Sequence, residues 1–193
     1  MSSKAKLLPV RIYGDNILRE KAKPVKQFDD KLKALVRDLI YTMYHRDGVG
    51  LAANQVGSTQ RIFVIDTDWS KEDSDPDPVV LINPEIESGE GEYEMEEGCI
   101  SLPGIFAKVK RFNKIIYSYT DLEGNEHKEA AEGYKAVVIQ HENDHLNGVL
   151  FVDRIGKLAM LKIKRKLNEM LKTAVDGTNL RTDIYDPNVK KIG

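Results

Sequence analysis

Residues 134–147, YKAVVIQHENDHLN, restrict the fold of this chain more than any other stretch. Ala136, Val137, Val138 and Ile139 form an unbroken apolar run, so the helix predicted here must be enclosed rather than laid on a surface. The histidines that follow are then drawn into the interior, and a buried imidazole needs a partner. His141 and His145 stand four residues apart, about 40° around a helix and roughly 6 Å along it, so both rings can address one cation. Glu142 borders the same face and can reach a water on that cation. The chain has four histidines, and two of them fall at this one spacing.

The remaining pattern predicts an α+β fold. Short, mostly antiparallel β-sheets pack around the central H-E-x-x-H helix, with one helix before them and one after. Residues 29–48 repeat apolar side chains every 3.6 residues, with Asp29 or Asp30 to cap the start and Gly48 at the end. Residues 61–66 and 78–86 are short and β-branched, which predicts strands, and the acidic, proline-containing 70–78 between them reads as a surface loop. In residues 90–96 four glutamates alternate with Gly91, Tyr93 and Met95, a strand with one wet face, and Cys99 falls in phase with the drier side. Residues 114–130 read as a hairpin turning at Glu123–Asn125. Gly148 closes the central helix. Residues 156–175 form a second amphipathic helix, with Leu158, Leu161, Leu167, Met170 and Leu171 on its stripe. Residues 1–176 are expected to be a single catalytic metallohydrolase domain, and 177–193, which lack either period, a loosely attached extension.

Composition narrows the function. There are 29 basic and 31 acidic residues for a formal net charge of −2. Neither sequence-specific nucleic acid nor an anionic membrane is expected as a main partner. No apolar run approaches the roughly 20 residues of a membrane span, and the opening MSSKAKLLPV lacks the apolar core of a signal peptide. The lone Cys99 cannot form an intramolecular disulfide, which fits a reducing, cytoplasmic setting.

A catalytic metal centre takes three protein ligands and leaves one position open for water. Glu169 is one candidate for the third ligand, as a later-helix glutamate serves in many metalloproteases. Cys99 is another, although an unpaired buried cysteine is usually inert filler. A third arrangement closes the site with a fourth protein ligand, His127 or His45, and serves structure alone.

Three stretches discriminate among these. GVGLAANQVG (48–57), EGCISLPG (97–104) and QHENDHLNG (140–148) resemble, in order and spacing, the three signatures of the peptide deformylase family. The similarity covers roughly residues 7 to 172. It implies hydrolysis of the N-formyl group from the N-terminal formylmethionine of nascent polypeptides, with release of formate. It implies one divalent metal ion held by Cys99, His141 and His145, natively Fe(II), with Zn, Ni or Co as replacements. Glu142 is then the general base and acid, and the Gln55 side chain with the backbone N–H of Ile100 stabilises the oxyanion. The substrate is expected to meet Val49 and Gly50, to pair by strand addition near Gly98 and residues 104–106, and to place methionine among Met95, Tyr134, Val137 and Val138. Tyr134 and Phe106 depart from residues common in the family at those places. The basic residues Lys157, Lys162, Lys164, Arg165, Lys166 and Lys172 on the last helix are expected to contact the ribosome.

Overall fold

The computed structural model describes residues 4–69 and 75–182. Its elements are α1 (Asp30–His45), seven strands, α2 (Gly133–Leu146) and α3 (Lys157–Leu171). The strands are β1 (Gly50–Ala52), β2 (Ile62–Ile65), β3 (Val79–Glu90), β4 (Tyr93–Cys99), β5 (Leu102–Arg111), β6 (Lys114–Thr120) and β7 (Glu126–Glu132). All pairings between them are antiparallel. One sheet runs β1-β2-β3-β6-β7 and the other is the β4-β5 pair. The α+β architecture expected from the sequence is the one observed.

β2 shows why α2 ends up enclosed. All four of its residues are buried, which requires cover on both faces. Phe63 and Ile65 pack with Ala136, Val138 and Ile139 of α2. Ile62 and Val64 pack with Leu32, Val36, Leu39 and Met43 of α1. Truncating a side chain such as Phe63, which is fully buried, costs about 3–5 kcal/mol. A third core joins Leu102, Ile105 and Val109 of β5 to Phe151 and to Ile163 and Leu167 of α3.

Local chemistry sets the ends of the helices. The Asp29 carboxylate accepts from the Leu32 N–H at 2.9 Å and caps α1. Gly148, at φ +72, follows α2, and a Cβ there would stand 2.4 Å from the Arg19 carbonyl oxygen. No side chain fits that contact.

Three expectations change. Residues 90–96 are not one strand: the chain turns at Gly91 and Glu92 from β3 into β4. Tyr93, expected on the dry side, is 38% exposed at the start of β4. β5 was not foreseen, because its inward Ala107 and Arg111 dilute the apolar alternation. The extension is not loose over residues 177–182: the Ile12 N–H donates to the Asn179 carbonyl and the Arg181 N–H to the Val10 carbonyl. Residues 183–193 lie outside the described residues, as do 70–74 of the acidic loop.

Candidate metal centre and active-site cleft

α2 contributes His141, Glu142 and His145 to the interior, and buried residues occur around nearly its whole circumference. Cys99 comes from the end of β4, where the ladder slips: Gly98 opposes Phe106, but Cys99 opposes Leu102. Such an irregularity re-aims a side chain. Ligand atoms of Cys99, His141 and His145 all lie within 4.8 Å of one another. Cys99 Sγ is 3.2 Å from His145 Nε2. Among the described residues no other histidine, cysteine or carboxylate joins this group.

The surroundings fit a cation. His141 Nδ1 hydrogen-bonds the Glu97 carboxylate at 2.8 Å, which leaves Nε2 for the shared point and fixes the ring. Burial opposes charge on His141, but hydrogen bonds with Cys99 and Glu97 outweigh it and hold its proton to about 10. His145 is pushed well down by burial and by neighbouring His141. One thiol and two imidazoles, donors that suit a divalent ion, thus converge on one point. Glu142 is buried beside it, with its carboxyl raised by burial to about 7, and its Oε2 has no hydrogen-bond partner. Gly50 makes room for it: a Cβ at position 50 would stand 2.5 Å from Glu142 Oε1.

Behind His141 runs a buried ion network. Arg111 donates from Nε and Nη2 to the two oxygens of Glu97, at 2.6 and 2.8 Å, and from Nη1 to Asp144 at 2.7 Å. Arg154 also pairs with Asp144. Burial works against the charged form of Glu97, yet the hydrogen bonds from Arg111 and His141 hold its carboxyl down at about 2. Little in the sequence singles out Arg111, whereas Asp144 lies within the QHENDHLNG stretch. Glu97 does carry a signal: it breaks the even spacing of its neighbours and falls in phase with Met95 and Cys99.

Gln55 accepts the Ala52 N–H on Oε1 at 2.8 Å, so its amide N–H group must point the other way. Nε2 reaches Ser101 Oγ at 3.1 Å and Cys99 Sγ at 3.5 Å. A cleft of about 570 Å³ opens over these groups. Val49, Gly50, Gln55, Met95, Gly98, Cys99, Ile100, Tyr134, Val137, Val138, His141 and Glu142 all line it. His145 lies deeper, at 1% exposure. Phe106, 60% exposed, stands at the wall as well.

The alternative ligands lie elsewhere. Glu169 borders a separate cavity with Lys166, Met170 and Thr173. His127 pairs with Asp121 and stacks on Tyr119, and His45 bonds the Tyr41 carbonyl.

Residues 7–160 match the family model for polypeptide deformylase. The chain belongs to the polypeptide deformylase family. Its activity is the metal-dependent hydrolysis of the N-formyl group of nascent polypeptides that begin with formylmethionine. The peptide deformylase of Thermotoga maritima is 47% identical over 165 residues, spanning 85% of this chain and 96% of that one. The crystal structure of a peptide deformylase from Legionella pneumophila superposes with a TM-score of 0.77 at 40% identity, covering 88% of this chain and 96% of that one. A deformylase from Synechococcus elongatus in complex with actinonin gives 0.78 at 42% identity, with 86% and 91% covered. No helix among the described residues is long and apolar enough to cross a membrane.

Proposed function

We propose that Cys99, His141 and His145 hold one divalent ion, natively Fe(II), which Zn, Ni or Co can replace. The observation that carries this reading is the convergence of the three ligand atoms within 4.8 Å beside a buried glutamate with an unpartnered carboxylate oxygen. An ion held there would supply Lewis-acid polarisation of the formyl carbonyl and a more acidic water.

The chain's own groups do the rest. Glu142 accepts the proton of the attacking water and returns it to the departing amine, so the formyl C–N bond breaks as formate and a free N-terminus form. The Gln55 Nε2 group and the Ile100 N–H donate to the oxygen that gains charge; removing one such donor costs on the order of 10²–10³ in rate. Glu97, charged and braced by Arg111, orients His141. Val49, Met95, Tyr134, Val137 and Val138 form the apolar wall that takes the methionine side chain. Gly50 and Gly98 leave main chain accessible to an extended peptide, and β4 pairs with β5 alone among the named strands, which leaves its outer edge for strand addition.

The enzyme works in the cytoplasm on nascent chains, and the exposed basic residues of α3 meet ribosomal phosphates. Replacing Lys162, Lys164 and Arg165 by glutamine should lower co-sedimentation with ribosomes at low salt; unchanged sedimentation removes this contact.

The deciding measurement is formate release from formyl-Met-Ala-Ser by protein prepared anaerobically and loaded with Fe(II) or Ni(II). Cys99→Ala should lose the metal. A Cys99→Ala protein with full metal content, or a Glu169→Ala protein without it, overturns the ligand assignment.

A further inference from the structure

The extension beyond α3 reaches the cleft by two routes. Asn179 is 2% exposed. Its N–H donates to the Asp15 carboxylate at 2.9 Å, and its side-chain amide to the carbonyls of Tyr13 and Met170 at 2.7 and 2.8 Å. Backbone bonds from Ile12 to Asn179 and from Arg181 to Val10 complete a clasp on residues 10–13. That segment is tied to the cleft in turn. The Arg11 N–H donates to the Gln55 carbonyl at 2.7 Å and the Tyr13 N–H to the Ser101 carbonyl at 2.9 Å. The second route is direct: Arg181 lines the cleft and donates from Nη1 to the Ile100 carbonyl at 3.3 Å.

We propose that Arg181 is a positioning residue for deformylation, and that the clasp around Asn179 and Arg181 holds Gln55 and the Ile100–Ser101 turn in place. The inference rests on the reading of Gln55 and the Ile100 N–H as the oxyanion donors. Such donors accelerate a reaction only when fixed before charge develops, and displacement by about 1 Å costs on the order of a hundred-fold. The Ile100–Ser101 turn follows the point where the β4-β5 ladder slips, so strand pairing alone does not hold it. Tyr13 holds it from one side and Arg181 from the other. The family model ends at residue 160, so Asn179 and Arg181, which close the clasp, lie outside it.

Arg181→Ala in the full-length, Ni(II)-loaded enzyme tests the idea. Expected are a kcat lower by roughly ten- to a hundred-fold, with KM, metal content and melting temperature unchanged, and faster amide hydrogen exchange at residues 100–102. Asn179→Ala should lower kcat in the same direction; if that variant does not fold, Arg181→Ala decides alone. An unchanged kcat overturns the proposal. So does a raised KM with kcat intact, which makes Arg181 a substrate contact, or a loss of rate that only tracks loss of metal. A wild-type enzyme that releases no formate refutes the underlying site reading instead, and that result precedes any substitution.

Discussion

α2 and α3 are helices of similar length, 14 and 15 residues, and both carry many charged or polar side chains, yet they solve opposite problems. In α3 only Ile163 and Leu167 are buried; Leu158 is 80% exposed, Leu161 68%, and the charges point to water. In α2 the polar residues Gln140, Glu142, Asp144 and His145 are themselves buried. A buried charge without a partner is costly, and Asp144, His141 and His145 find partners in Arg111, Arg154, Glu97 or Cys99. Glu142 keeps one carboxylate oxygen unpartnered, and it is the group assigned to move the proton. The difference between the helices is therefore partnership rather than composition.

That contrast can be broken in descending order of effect. Glu142→Ala should leave metal content intact and lower kcat by roughly 10²–10⁴-fold in the formate assay; an active variant would make the unpartnered oxygen irrelevant. Glu97→Ala leaves Arg111 in the interior with Asp144 alone, which it shares with Arg154, with an expected loss of up to about 3–5 kcal/mol in urea unfolding and a fall of roughly 10–100-fold in metal affinity by competitive chelation. In metal-depleted protein the same carboxylate predicts a pH dependence. Its folded-state value of about 2 lies below the ordinary 4.5, so its stabilisation is complete above pH 4.5 and is lost as pH falls toward 2. Urea midpoints across that window, compared with those of Glu97→Gln, isolate the contribution. Smallest of all, Glu169→Ala or Leu161→Ala on α3 should change stability by no more than about 0.5 kcal/mol and leave metal binding and kcat alone.

The same contrast explains what was legible in the sequence. The helices declared themselves because α1 and α3 keep a 3.6-residue period, and α2 an apolar run that no surface helix tolerates. The candidate ligands could be picked out because two lie one turn apart, and the resemblance supplied Cys99, 42 residues upstream of His141. The support behind them could not be read. Arg111 pairs with Glu97 across one strand pair and with Asp144 on α2, and nothing local to any of the three announces those contacts. β5 was missed for the same reason: its inward row ends in Arg111, which counts as polar until its partners are known. The extension was missed because main-chain hydrogen bonds and one buried asparagine hold it, and neither produces an apolar period.

The clasp between residues 10–13 and 179–181 has a consequence in time. Residues 10–13 are synthesised well before Asn179, which bonds Tyr13 across 166 positions of sequence. Synthesis runs from the N-terminus at roughly 5–20 residues per second, so Tyr13 waits on the order of ten to thirty seconds for its partner. Until Asn179 and Arg181 have been made and are free to bond, the hydrogen bonds they give to Tyr13, Val10 and Ile100 are missing. A protein whose work begins on unfinished chains thus closes the clasp beside its own cleft long after the residues it clasps have been made.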